Sequence, residues 1–364
     1  MNLIFLAAYM KKIIYSFLLL TLFSIHLNFA QDLSKLSDGP FIFIEDEAII
    51  EKTIKDGEVV VDKLKNFQYD TIYTSNKSYF NNVSKIAALS DIHGQYGVLV
   101  KLLKIHNIID DNLDWNFGNG HLVIVGDIFD RGDRVNDILW LVYKLEIQAK
   151  KSNGDVHYLL GNHEFMVLQK DLRYLSDHHM KVANLLNLDY DQLYSNKTIL
   201  GRWIRSKHTI IKINDIIFTH GGVSENFILN NGVDLGVINT AMRDNMDFER
   251  EKMKQTSLHE YYYGRDNLTW YRGYFKKYFE NHKLDFSESD VNKILKLLDA
   301  SHIVVGHTSQ DQVVQLFDNK IFGVDSSIKR GKSGELLIIN NNKFFRGTFY
   351  GDLIPLEEKP RQNH

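Results

Sequence analysis

The chain has 364 residues, 44% of them hydrophobic and 12% aromatic, which suits one sizeable core or one domain with a large insertion. The net charge is −3 and no long basic run occurs, so a nucleic-acid-binding stripe is not indicated. There is no cysteine, which excludes disulfides, thiolate metal sites, a cysteine nucleophile and the lipid-attachment cysteine of a bacterial lipoprotein.

In chain order, the first element is an export signal. Lys11-Lys12 precedes an apolar run that ends at Ala30, the pattern of a secretory signal peptide over residues 1–30. Met10 is the expected start, because a start at Met1 buries the two lysines inside an apolar run. Asn28 departs from the preferred cleavage pattern, so an uncleaved anchor is the competing reading; only that reading gives the protein a membrane partner. Residues 31–84 form a strand-rich lead-in, with strands at Phe41–Ile44 and Val59–Val61 and a turn at Asp56-Gly57, expected to make an edge hairpin.

From residue 85 the pattern changes. Ile86–Ser90, His121–Val125 and Val156–Leu160 are short apolar runs alternating with helical spacing at Val98–Ile109 and Val135–Ala149. This is βαβαβ, hence a largely parallel sheet. Leu200–Ile213 and Ile216–Thr219 are predicted as strands around an Asn214-Asp215 turn. Residues 225–299 are rich in helix formers and aromatics and are read as an insertion. A strand at His302–Val305 and alternating strands and turns over Val313–Phe349 complete a domain spanning 85–350, and 351–364 reads as a loose tail.

Five short motifs sit at the ends of these elements. They are Asp91-Ile92-His93-Gly94, Gly126-Asp127-Ile128-Phe129-Asp130-Arg131-Gly132, Gly161-Asn162-His163-Glu164, His220-Gly221-Gly222 and Gly306-His307-Thr308. Each alone is more often a surface turn than a site. Together they offer mixed oxygen and nitrogen ligands without sulfur, which suits manganese, iron or zinc. Two such cations about 3.5–4 Å apart can clamp an activated water and a phosphoryl oxygen. In open α/β sheets ligands sit beyond the carboxyl ends of strands, where the first three motifs fall.

As an ordered set, the motifs resemble those of the calcineurin-like metallophosphoesterases, in particular the phosphoprotein-phosphatase branch. Gly-His-Thr, the exported start and the aromatic insertion are similar to the Shewanella-like protein phosphatases, with the resemblance covering roughly residues 85–330. It implies an αββα sandwich of two mixed sheets flanked by helices, with a mostly helical insertion at 225–299. It implies that Asp91, His93 and Asp127 hold one metal, and that Asp127, Asn162, His220 and His307 hold the other, as a Mn²⁺ or Fe/Zn pair. His163 would be the general acid, oriented by Asp130. Arg131 and Asn162 would bind the phosphate, with Arg272 as the second arginine in preference to Arg243 or Arg265. Ser90 stands where many members have glycine.

Glu164 is read as structural, Asp133 and Arg134 as loop and helix-start residues, and Asp325 as part of a strand-end turn in preference to a residue that helps shape the site. His106, His121, His157, His178, His179, His208 and His302 lack ligand spacing. Tyr261-Tyr262-Tyr263 either lines a cleft or packs the insertion, and packing is favoured. The resemblance implies a protein phosphatase acting on phosphoserine, phosphothreonine or phosphotyrosine. The alternatives are a small-molecule phosphoesterase, such as a dinucleoside polyphosphate hydrolase, and a non-catalytic phospho-ligand module. Oligomeric state is open.

Overall fold

The computed structural model describes residues 33–45, 48–64, 69–275 and 287–356. The expected export segment at 1–30, the middle of the insertion at 276–286 and the end of the tail at 357–364 lie outside these residues.

Two six-stranded sheets face each other. The first has the order β15-β14-β13-β5-β6-β7, where β5 is Lys85–Leu89, β6 His121–Ile124, β7 Asp155–Tyr158, β13 Leu336–Asn340, β14 Lys343–Gly347 and β15 Leu353–Pro355. The second has the order β11-β12-β10-β9-β8-β4, where β4 is Tyr79–Phe80, β8 Ile210–Ile213, β9 Ile216–Thr219, β10 His302–Val305, β11 Val314–Leu316 and β12 Ile321–Gly323. Both sheets are mixed. β5, β6 and β7 run parallel and β13 antiparallel to β5; β9, β10 and β12 run parallel and β8 antiparallel to β9.

Side-chain alternation along the strands builds the layers. Ile86 and Ala88 of β5 and Val123 of β6 join Phe218 of β9, Val304 of β10 and Phe322 of β12 in the core between the sheets. Ala87, Leu89, Leu122 and Ile124 point the other way, into the core under the helices. There they meet Leu99, Leu102 and Leu103 of helix α1 (Tyr96–Ile105) and Ile138, Leu139, Val142 and Leu145 of helix α2 (Val135–Lys151). The αββα sandwich is therefore present as expected.

Three local expectations are corrected. The lead-in is not an edge hairpin of the main sheets. It is a separate antiparallel sheet of β1 (Asp38–Glu45), β2 (Ala48–Lys55) and β3 (Glu58–Leu64), whose middle strand the sequence reading missed. It is tied to the domain by Trp140 and Asn136 of α2, which donate to the Pro40 carbonyl at 2.8 and 3.2 Å. Leu200–Ile213 is not a continuous strand. Thr198 caps a short helix, Ile199–Arg205, by accepting from the Gly201 N–H at 3.1 Å, and Trp203 anchors it through a 2.8 Å bond to Glu146. The start of the tail is not loose, since Leu353–Pro355 pairs with β14 at the sheet edge, where a proline is tolerated. In the stretch 225–299, the described residues form helices at Glu225–Asn231, Leu235–Asp244, Arg250–Met253, Ser257–Tyr263 and Glu288–Leu297, and no strand.

Candidate metal centre

All five motifs meet at the carboxyl ends of five strands, three from one sheet and two from the other. Asp91 and His93 follow β5, Asp127 follows β6, Asn162 follows β7, His220 follows β9 and His307 follows β10. The turns that bring them inward are sharp. Asp91, His93, Asp127, Asp130, Arg131 and His307 all have φ between 46° and 70°, in the left-handed region that non-glycine residues rarely adopt. Such strain persists only where surrounding structure enforces it, and it clusters at functional sites. Gly161 is needed for closeness instead, because a Cβ there would lie 2.3 Å from Asp127 Oδ1.

Asp127 is at the middle. Its Oδ2 lies 3.6 Å from His93 Nε2, 3.2 Å from His220 Nε2 and 3.8 Å from His163 Nε2. Asp91 Oδ1 is 3.8 Å from His93 Nε2, while its Oδ2 accepts from the His307 N–H at 2.8 Å. Asn162 Oδ1 and His220 Nε2 are 2.9 Å apart. Two groups could each hold a cation: His93, Asp127 and His163, and Asp127, His220 and His307, sharing Asp127.

The imidazoles are oriented for metal binding. His93 Nδ1 donates to the Phe129 carbonyl at 2.6 Å, and His220 Nδ1 to the Val125 carbonyl at 2.7 Å, which turns each Nε2 lone pair inward. The Nε2 atoms of His93 and His307 are buried without any hydrogen-bond partner. A buried polar atom without a partner is costly, and a cation would satisfy both of these. The residues present therefore fit two metal ions.

The charges agree. Burial alone would raise the Asp127 and Asp91 carboxyls, but the neighbouring histidines outweigh it, with Lys329 adding to the effect at Asp91, and both are held below the ordinary carboxylate range. Burial works against a charge on His220, yet Asp127 and Asp91 pull it up to about 9. A metal ligand must offer a lone pair, so a cation binding there displaces a proton. Burial and the Arg272 guanidinium push His307 well below its usual value.

His163 Nδ1 lies 2.5 Å from Asp130 Oδ2, which orients the ring as expected. Burial lowers its basicity, but Asp127 and Asp130 outweigh burial and hold it above the ordinary histidine value. The alternative role for His163, as a ligand beside His93 and Asp127, is also within geometric reach. Arg131 is exposed and close enough to affect the charge on His163. Arg272 Nη1 donates to the His307 carbonyl at 3.0 Å and to Thr308 Oγ1 at 3.2 Å, at the edge of the centre. Arg243 instead contacts His208.

Glu164 is structural, as read. Its carboxylate accepts from the N–H groups of Gly161, Asp127 and Ile128 at 2.7, 2.9 and 2.7 Å, locking two motif turns together. Asp133 accepts from Ser176 and Arg134 pairs with Asp137, both away from the centre. His106, His208 and His302 bond to backbone carbonyls, and His121 pairs with His157. Tyr262 is buried and donates to the Met242 carbonyl, as packing requires. Tyr263 touches Trp270, whose ring is 5.5 Å from His307, so the insertion does reach the centre.

Four neighbours add to the site, and of these only Ser90 and Asp325 drew a reading from the sequence. The Ser90 hydroxyl sits 2.7 Å from Asp91 Oδ2 and 2.8 Å from the Val125 carbonyl, so this departure from glycine adds a contact to a ligand. Lys329 Nζ is 3.6 Å from Asp91 Oδ1 and 3.1 Å from Asp325 Oδ2. Asp325 is fully buried and raised to about 7 by that burial and by Asp91. Tyr174 has its ring 5.1 Å from that of His163. None of the four has diagnostic spacing; Lys329 arrives on a short 3-10 helix, Ile328–Arg330, and the other three through loops.

Comparison with known proteins agrees with the geometry. The profile of the family described as calcineurin-like phosphoesterase matches residues 84–311. Shewanella-like protein phosphatase 1 of Plasmodium berghei is 29% identical over 74% of this chain and 73% of its own length. Shewanella-like protein phosphatase 2 of Arabidopsis thaliana is 21% identical over 76% of this chain and 82% of its own. Among solved structures, a cold-active protein-tyrosine phosphatase of a psychrophilic Shewanella species superposes with a TM-score of 0.82 at 39% identity, covering 88% of this chain and 99% of that one. With the family matched over residues 84–311 and the fold shared with that solved structure, this chain belongs to the calcineurin-like phosphoesterase family.

Proposed function

We propose that the protein is a metal-dependent phosphomonoesterase that removes phosphate from phosphorylated protein side chains, with phosphotyrosine among its substrates. The observation that carries this reading is the presence of two buried groups that could each hold a cation and that share Asp127, with His163 of the first group bonded on its other side to Asp130. The high-identity match to a structure described as a protein-tyrosine phosphatase supports the choice of substrate.

Asp91, His93 and Asp127 would hold one ion, and Asp127, Asn162, His220 and His307 the other. When bound, two such ions supply polarisation of a phosphoryl oxygen and activation of water at neutral pH. Mn²⁺ or an Fe/Zn pair suits these oxygen and nitrogen donors. Arg131 and Arg272 would hold the phosphoryl oxygens, and Asn162 would place its amide against them. His163 holds a proton for the departing oxygen, and Asp130 keeps its ring turned toward that position. With no cysteine in the chain, a thiol cannot be the nucleophile.

The sequence pattern of residues 1–30 supports export to the periplasm or beyond, with Met10 as start; retention in a membrane would require that segment to stay uncleaved. Among the described residues no helix is long and apolar enough to cross a membrane.

The test is a substrate panel on protein loaded with Mn²⁺: phosphoserine, phosphothreonine and phosphotyrosine peptides beside a dinucleoside tetraphosphate. Turnover of phosphopeptides, including the phosphotyrosyl one, is expected. Preference for the dinucleotide would replace this reading with a small-molecule phosphoesterase, and no turnover at all would end it.

A further inference from the structure

His163 defines more than a proton source. Whatever it protonates is the oxygen that leaves, so the rest of the leaving group must extend past its ring. One side chain beside that ring is Tyr174, whose ring centroid is 5.1 Å from that of His163 at an interplanar angle of 51°. Tyr174 is 42% exposed, unusual for an aromatic ring beside an otherwise buried centre. The Arg131 guanidinium, the expected phosphate clamp, lies 5.4 Å from the same ring. Tyr174 thus stands next to both groups that would grip the ends of the scissile bond.

Its backbone is fixed. The Tyr174 carbonyl accepts from the Arg131 N–H at 3.3 Å, and Leu175 N–H bonds to the Leu172 carbonyl at 3.2 Å. Arg173 is clamped to Asp171 through two bonds of 2.7 and 2.8 Å, with its guanidinium 5.7 Å from the Tyr174 ring. The ring is therefore exposed without being on a loose segment, and little ordering remains to be done when a ligand meets it.

We infer that Tyr174 is a specificity-determining residue, an aromatic platform against which the leaving group's ring packs, so that aryl phosphates such as phosphotyrosine are favoured over alkyl phosphates such as phosphoserine. A phenyl ring next to the leaving oxygen can stack obliquely or edge-on against Tyr174. The short methylene of phosphoserine offers no such surface and brings a polar backbone to the same place. The inference rests on the phosphatase reading above and names the part of the site that sets its substrate class.

The experiment compares kcat/KM for two peptides of identical sequence, one carrying phosphotyrosine and one phosphoserine, on the full chain with Mn²⁺. The variants are Tyr174→Ala and Tyr174→Phe, each checked for metal content and Tm. Tyr174→Ala is expected to lower the phosphotyrosine-to-phosphoserine ratio roughly tenfold, mainly through KM for the phosphotyrosyl peptide, and Tyr174→Phe to restore it. An unchanged ratio overturns the inference. If it is unchanged because both peptides slow equally, Tyr174 merely props His163 and Arg131. Wild-type turnover of phosphoserine without phosphotyrosine also overturns it, while the phosphatase reading survives. Absence of wild-type turnover on both peptides removes the two together.

Discussion

Single residues of the centre divide into candidate metal ligands and groups placed to move a proton. Asp127 has its Oδ2 facing three histidines and its Oδ1 accepting from the His163 N–H at 3.0 Å. Asp127→Asn removes the one carboxylate common to both cation groups, so metal content measured by elemental analysis and phosphatase activity should fall together. His163→Asn should behave differently. It should leave the metals in place and slow turnover by roughly 10²–10⁴, the usual scale of acid–base assistance. If His163→Asn empties the site, the geometric option of His163 as a ligand beside His93 becomes the right one. The candidate ligand residues stood out by their motifs because sharp strand-end turns confine such residues to short spacings. Lys329 and Tyr174 did not, because each acts through space from a short 3-10 helix or a loop, which leaves no period or spacing to read, and Asp325 suited a plain strand-end turn equally well.

At the scale of elements, the lead-in sheet is attached to the domain partly by polar contacts, and these respond to pH. His178 Nε2 lies 3.0 Å from Asp38 Oδ2 on β1. The Asp38 contact raises His178 above its ordinary 6.5. Asp38 is raised above 3.8, because burial outweighs the pull of His178. For a group raised in the folded state, the stabilising contribution is whole below the unfolded value and is lost as pH climbs through the folded one. The histidine's share therefore fades above pH 6.5, and the Asp38 shift acts in the same direction at lower pH. The wild type should exceed His178→Gln in stability by more at pH 6 than at pH 8.5. The difference should stay below about 1 kcal/mol because the pair is partly solvated, and urea unfolding at the two pH values would measure it. An equal difference at both would assign the contact no charge. Elements with strong periodicity, such as α2 and β5 to β7, were legible in the sequence. The helix at Ile199–Arg205 was not, since Leu200, Trp203 and Ile204 are apolar residues that suit a strand equally well until the Thr198 cap decides. The strand at Ala48–Lys55 was missed because its residues alternate weakly and only its neighbours β1 and β3 give it a place.

At the scale of the whole molecule, the sandwich explains why motifs spread from Asp91 to His307 form one centre. The two sheets bring the carboxyl ends of β5, β6 and β7 to the same edge as those of β9 and β10, and Phe218, Val304 and Phe322 hold the sheets together behind it. The overall layering was anticipated through family resemblance, whereas the separate lead-in sheet depends on contacts between distant segments that no local pattern encodes. On the proposed function, this edge holds two cooperating cations that serve phosphate release. The most direct test is phosphate release from a phosphotyrosyl peptide by chelator-stripped protein as Mn²⁺ is added back in known ratio to chain. Activity should be absent at the start and should saturate at two equivalents per chain. Full activity with no metal, or saturation at one equivalent, would contradict the shared-Asp127 site.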